Sequence, residues 1–272
     1  MSDAAPEYVA ARRVLLDALT ALQSHLGSLI LVGAQAVYHH AGEADLNVAL
    51  MTTDADLAIN AANLADAPEI GAVLRAAGFV PGPNPGHWVA PSDVAVDLMV
   101  VPHQAGTTKA SARAARLAPH EKLTARIAHG LEPALVDHEV VTIAALEPGD
   151  DRSFTLRVAG PAALLTAKAI KISERLGQVD TQPDRLKEKD ALDAFRILQA
   201  IATPDLVRGF RKHSEDDYAW AATEEALQVY REHASDPGGR VALLAADAAQ
   251  DDPTVAPAFA ALIGELLASL RA

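Results

Sequence analysis

Two aspartates separated by a single residue stand in a strand-like part of the sequence. Asp54 and Asp56 lie in the segment DADLAI (54–59), and the two-residue period of a strand places both side chains on one face. Neighbouring carboxylates repel one another unless a cation lies between them. Because carboxylate oxygens are ligands of Mg²⁺ in phosphoryl chemistry, this spacing indicates a magnesium site. A solvent-facing edge strand or an acid-rich turn would show the same spacing.

A third aspartate interrupts a second apolar strand pattern. Asp97 stands within VAVDLMVV (94–101), where a lone acid would be poorly solvated if the strand were buried on both faces. A function for this carboxylate would explain its position. The alternative is an exposed hairpin face that Asp97 shares with Asp93.

The elements that must position these aspartates follow from hydrophobic spacing and turn residues. Leucines at 15, 19, 22 and 26 predict an amphipathic helix over 6–26. The apolar run 29–32, closed by Gly33, predicts a buried strand entering a tight turn. Further helices are predicted over 34–40, 68–77 and 107–117. Further strands are predicted over 54–59, 87–89, 94–101, 139–143 and 153–158. The strands 87–89 and 94–101 should form a hairpin.

The pattern changes after Gly160. Helices are predicted over 161–176, 184–201, 205–212, 217–233, 240–249 and 254–270, with proline or aspartate near most of their starts. We therefore predict an α+β domain over residues 1–159 and an all-helical domain over residues 160–272.

The order of the first elements resembles the nucleotidyltransferases of the DNA polymerase β superfamily. In that family a glycine turn after the first strand precedes an Asp-x-Asp strand, and a third carboxylate follows on a neighbouring strand. The matching segments are VGAQA (32–36), TTDADL (52–57) and VDL (96–98). The AbiEii-type branch of abortive-infection toxins is the narrower resemblance, through LLTAK (164–168), Arg175 and KEKDALD (187–193). Together the similarity covers about residues 10–200.

This resemblance implies a nucleotidyltransferase-like mixed β-sheet with flanking helices, followed by an all-helical C-terminal domain. It implies transfer of a nucleotidyl group from a nucleoside triphosphate such as ATP to a hydroxyl of RNA, protein or a small molecule. A toxin-like role with a cognate antitoxin is part of the same expectation. The implied ligands of Mg²⁺ are Asp54, Asp56 and Asp97. The implied nucleotide contacts are Gly33, Ala34, Thr52 and Lys168. The implied catalytic residues are the same three aspartates together with Lys168 and Asp190.

Two positions depart from the family pattern. Ala34 stands where the family often has glycine or serine, and Leu50 stands where it often has arginine. The backbone N–H of Ala34 can still donate to a phosphate. Both departures favour an alternative, in which the chain is a catalytically inactive nucleotide-binding or partner-binding module of the same fold.

Composition excludes several other classes of site. The 272 residues contain no cysteine, which rules out disulfides, thiol nucleophiles and cysteine-ligated metals. The N-terminal residues show no signal-peptide pattern, so we expect a cytoplasmic protein without membrane contact. The net charge of −13 argues against a surface built wholly for nucleic acid. Five basic residues are either a local RNA-binding patch or a solvated helix face: Lys109, Arg113, Arg116, Lys122 and Arg126.

Overall fold

A computed structural model describes residues 5–42, 52–109, 111–182 and 186–272. Contacts between these residues group the chain into two compact units. The first comprises Met1–Ala36, Ala49–Ala128 and His138–Ala159. The second comprises Val37–Val48, His129–Asp137 and Gly160–Ala272.

A mixed β-sheet forms the centre of the first unit. Its described strands are β1 (Leu29–Val32), β2 (Asp54–Ile59), β3 (Val80–Pro81), β4 (His87–Val89), β5 (Ala95–Val100), β6 (Arg126–Ile127), β7 (His138–Ala144) and β8 (Ser153–Ala159). They follow the order β3-β4-β5-β2-β1-β8-β7, and β6 pairs with β5. β1 is antiparallel to β2 and parallel to β8, whereas β2 is parallel to β5. The predicted mixed sheet is therefore confirmed, and so is the antiparallel pairing of β4 with β5.

Helices flank this sheet. They are α1 (Pro6–Ala21) and α3 (Ile70–Ala76), whereas α2 (Gly33–Ala41) follows β1 and continues into the second unit. The leucines of α1 are buried, as their spacing predicts. The helix ends earlier than expected, because the chain turns at Leu22 into a 3₁₀ helix over Gln23–Ser28. That turn buries His25, whose Nε2 donates to the carbonyl of Pro68 at 2.8 Å.

The prediction of an alanine-rich helix over 107–117 is wrong. Among the described residues of this segment the backbone is irregular, and Ala114 forms an antiparallel bridge with Arg126. The amide of Ala115 donates to the carbonyl of Ala125, at 3.0 Å. Alanine favours a helix by less than about 1 kcal/mol per residue, so pairing that satisfies these backbone groups outweighs local propensity. Arg113 and Arg116 therefore do not share a helix face.

The helical C-terminal region is confirmed. Its described helices are α4 (Pro161–Leu176), α5 (Glu188–Ala200), α6 (Thr203–His213), α7 (Asp217–His233), α8 (Arg240–Ala248) and α9 (Val255–Ser269). Phe195 of α5 stacks on Phe259 of α9 with ring centroids 5.7 Å apart, and both rings are fully buried. Asp216 caps α7 by accepting from the amide of Ala219 at 2.8 Å. Within the described ranges no helix has the length and apolar character needed to cross a bilayer.

Candidate functional site

Three carboxylates share one face of the sheet in the first unit. The parallel register of β2 and β5 places Asp56 directly opposite Asp97 and Asp54 opposite Ala95. Side chains alternate along each strand, so Asp54, Asp56 and Asp97 all project to the same side. Each is partly exposed to solvent. The expectation that the Asp-x-Asp strand and the Asp97 strand are neighbours is thus confirmed.

Gly33 lies beside this carboxylate face. Val32 pairs with Asp56 across β1 and β2, and the next residue turns the chain into α2 with a φ of +67°. A Cβ at Gly33 would overlap the Asp56 carboxylate. Glycine is therefore required here both by the backbone conformation and by the close approach of Asp56. The first N–H groups of α2, which have no intrahelical partners, begin at this turn.

A chain of buried polar side chains holds the start of β2. Thr52 donates from Oγ1 to Oδ1 of Asp54 at 2.9 Å, and Gln35 donates from Nε2 to the carbonyl of Asp54 at 3.3 Å. The Nε of Arg12 donates to Oε1 of Gln35 at 2.9 Å, and its Nη2 donates to the hydroxyl of Tyr8 at 2.9 Å. Burial lowers the pKa of Arg12 from its usual value. Sequence analysis missed Arg12, and it assigned no role to Gln35, although Gln35 lies only two residues after Gly33.

Both oxygens of the third carboxylate have partners. Nδ1 of His87 lies 2.6 Å from Oδ1 of Asp97, and Nη2 of Arg126 donates to Oδ2 at 3.3 Å. His87 sits opposite Asp97 in the antiparallel pairing of β4 with β5. The sequence analysis missed this contact, although counting the register of the predicted hairpin would have shown it. Trp88, next to His87, is fully buried, and its Nε1 donates to the carbonyl of Thr124.

In the second unit, Lys168 and Asp190 form a buried ion pair. Nζ of Lys168 donates to Oδ1 of Asp190 at 2.9 Å and to Oδ2 of Asp193 at 2.6 Å. Asp190 also accepts from Lys171 at 3.1 Å and from Arg175 at 2.5 Å. Asp193 was missed as a partner, although its spacing of three residues from Asp190 places both on one face of α5.

The charges of this cluster shift the pKa values of both partners. Burial alone would lower the pKa of Lys168, but the carboxylates of Asp190 and Asp193 raise it above its usual value. Burial alone would raise the pKa of Asp190, but the charges of Lys168 and Lys171 hold it well below its usual range. Lys168 and Asp190 are therefore both charged at neutral pH.

The predicted site residues fall into two sets. Gly33, Ala34, Thr52 and the three aspartates belong to the first unit, and Lys168 and Asp190 belong to the second. Leu50 lies outside the described residues. The catalytic and ligand-binding roles of all these residues remain predictions.

One comparison with known proteins identifies a family. A family model described as nucleotidyltransferase matches residues 12–220, which include every predicted site residue and more than half of the chain. No curated protein and no solved structure matches the chain. The chain belongs to the nucleotidyltransferase family, whose members are transferases of phosphorus-containing groups.

Proposed function

We propose that this enzyme transfers a nucleotidyl group from a nucleoside triphosphate such as ATP to an acceptor hydroxyl, and that it requires Mg²⁺. The observation that carries the proposal is the common sheet face of Asp54, Asp56 and Asp97 beside the turn at Gly33. A nucleotidyltransferase needs carboxylates next to a phosphate-binding turn, and the register of β1, β2 and β5 sets three carboxylates on one sheet face beside Gly33.

The three carboxylates suit magnesium. They offer only oxygen ligands, which this small hard cation prefers, and they are partly exposed, so metal and phosphate can reach them. When bound, Mg²⁺ would neutralise charge on the phosphates during transfer.

The chain's own residues then have distinct tasks. The amides of Gly33 and Ala34 at the start of α2 bind phosphate oxygens, while Thr52 holds Asp54 in place through its hydroxyl. Asp97 orients the acceptor hydroxyl. The acceptor oxygen forms a bond to the α-phosphorus, the bond from that phosphorus to the bridging oxygen breaks, and pyrophosphate leaves. The hydroxyl proton passes to water.

We further propose membership of the AbiEii-type branch, supported by the segments 164–168 and 187–193 and by the Lys168–Asp190 ion pair. Residues 1–159 would then act as the catalytic domain and residues 160–272 as the helical domain. The same proposal covers a toxin-like role, a cognate antitoxin and a cytoplasmic location, where nucleoside triphosphates are abundant. Lys168 would contact the phosphates and Asp190 would complete the site. In its present contacts Lys168 is buried, and Lys171 is the cation of this cluster that solvent reaches most.

Ala34 favours a second candidate function. Because alanine supplies no hydroxyl at the phosphate-binding turn, the site would bind phosphate through backbone amides alone. A module that binds nucleotide without catalysis needs no more than this.

The test separates binding from catalysis. The purified chain is titrated with each nucleoside triphosphate with and without Mg²⁺ by calorimetry, and pyrophosphate release is then followed with RNA, protein and small-molecule acceptors. We expect magnesium-dependent binding and release of pyrophosphate with one acceptor class. Binding without release from any acceptor would support the module instead, and the absence of magnesium-dependent binding would contradict both candidates.

Gly33→Ala is expected to abolish magnesium-dependent nucleotide binding and to lower stability by about 1–3 kcal/mol. The added Cβ would displace the Asp56 carboxylate and strain a residue at positive φ. The matched control is Gly27→Ala, because a Cβ there meets nothing within 4 Å. Calorimetry and thermal melts of both variants make the measurement. Equal nucleotide affinity in the two variants would remove Gly33 from the proposed site.

A further inference from the structure

Residues 107–127 differ in charge from the rest of the chain. They contain five of the 23 lysine and arginine residues but only one of the 36 aspartate and glutamate residues. The single acid is Glu121, which is ion-paired with Arg75. An acidic chain therefore carries one segment with a clear excess of positive charge.

The side chains of four of these cations are exposed and lack an acidic partner. Among the described residues, no carboxylate forms an ion pair with Lys109, Arg113, Arg116 or Lys122. Two exposed arginines of the same unit differ in this respect, because Arg13 is paired with Glu147 and Arg152 with Asp17 and Asp150. We call the four unpaired cations the basic surface.

The segment that carries the basic surface contacts the carboxylate face. Arg126, at the end of the same segment, donates to Asp97. Arg113 donates from Nη2 to the side-chain carbonyl of Asn84 at 3.4 Å, and the backbone carbonyl of Asn84 accepts from the amide of His87. The amide of Gly86 donates to the carbonyl of Leu123, one residue beyond Lys122. The segment is thus fixed against the turn that carries His87, the partner of Asp97.

We propose that the basic surface binds a single-stranded nucleic acid whose hydroxyl is the acceptor. This inference rests on the proposed function and names the substrate class that its first statement left open. Lysine and arginine side chains without carboxylate partners bind backbone phosphates. Because Arg126 of the same segment contacts Asp97, a strand bound along this segment would extend toward the proposed site of transfer. A cationic protein or small molecule would be repelled from the same surface.

The composition of the segment also sets the mode of binding. Residues 107–127 contain no phenylalanine, tyrosine or tryptophan, so they provide no aromatic platform on which bases could stack. Phosphate contacts then supply the affinity, which makes it insensitive to base sequence and sensitive to salt. Four contacts predict a slope of about −2.8 in the logarithm of affinity against the logarithm of salt concentration. Raising salt from about 50 to about 200 mM should therefore weaken binding about 50-fold.

In the test, the whole chain is titrated into short, fluorescently labelled RNA or DNA strands of the same mixed sequence, and binding is measured by fluorescence anisotropy. The variant Arg113→Gln/Arg116→Gln/Lys122→Gln should lose most of the affinity, and its salt slope should fall to about −0.7. The matched control, Arg208→Gln/Arg211→Gln/Arg240→Gln, removes the same charge from exposed arginines of the second unit and should keep the parental slope. A lower affinity for DNA than for RNA would identify RNA as the acceptor, and equal affinities would leave the shared backbone as the recognised feature.

Two further results separate this proposal from the proposed function. Magnesium-dependent nucleotide binding should be the same in the surface variant and the parent chain, because none of the three substituted residues contacts Asp54, Asp56 or Asp97. If both triple variants bind RNA and DNA alike, or if pyrophosphate release requires a protein or small-molecule acceptor, the basic surface is not the acceptor site. Nucleotidyl transfer itself would stand in either case.

Discussion

Asp54→Asn is expected to lower the rate of nucleotidyl transfer by about 10³-fold, or roughly 4 kcal/mol in transition-state stabilisation. The asparagine keeps an acceptor for the Thr52 hydroxyl, but it lacks the negative charge with which Asp54 is proposed to bind magnesium. Without metal, the variant should melt at the same temperature as the parent or slightly above it, because one of three neighbouring carboxylates no longer repels the others. Thermal melts without ligand measure this stability. Melts with magnesium and triphosphate should show a smaller ligand-induced rise in melting temperature for the variant, because a ligand that binds more weakly stabilises the fold less.

Asp66→Asn is the matched control, since Asp66 is an exposed aspartate of the same unit outside the carboxylate face. It should leave both the rate and the ligand-induced shift unchanged. A metal-free Asp54→Asn protein that melts well below the parent and keeps the full ligand-induced shift would make Asp54 a structural hydrogen-bonding residue.

Lys168→Met is expected to destabilise the fold by about 3–5 kcal/mol. The substitution preserves an unbranched side chain but leaves two carboxylates without the ammonium group that they share. Asp193 is 1% exposed and binds Lys168 at 2.6 Å, so its charge would remain buried without this cation. At roughly 2–4 °C per kcal/mol, the melting temperature should fall by about 6–20 °C.

Lys171→Met removes a second cation from Asp190 and serves as the control. Its side chain is 46% exposed, so the loss should be below about 1 kcal/mol. The double variant Lys168→Met/Asp193→Leu should recover much of the lost stability, because apolar replacement of both partners removes the unpaired charge. Equal melting temperatures for Lys168→Met and Lys171→Met would show that the buried pair does not stabilise the unit.

The carboxylate face was predictable because it depends on short-range rules. The period of two along a strand puts Asp54 and Asp56 on one side, and the family-like order of elements makes the Asp97 strand their neighbour. The partners of Asp97 were harder to foresee. His87 required the register of a hairpin, and Arg126 comes from a two-residue strand that no local pattern marks.

The segment 107–117 shows where local propensity fails. Its alanines and arginines favour a helix by small increments, whereas the backbone groups of Ala114 and Ala115 find partners near Ala125 and Arg126. Such pairing depends on the position of β6 against β5, which sequence spacing alone does not reveal. The contact of Asp193 with Lys168 likewise joins α5 to α4, and the sequence alone does not predict how these two helices pack.

The parallel pairing of β1 with β8 affects how the chain is made. Ile30 lies opposite Arg157, and Leu31 lies opposite Val158. During synthesis β1 therefore cannot pair with β8 until the ribosome has added more than 120 further residues. Until then, one edge of β1 keeps its amide and carbonyl groups unpaired, a state that invites association with other chains. Pairings between residues far apart in sequence also form slowly. Asp54, Asp56 and Asp97 therefore lie on a sheet that a nascent chain completes only after β8 has been synthesised.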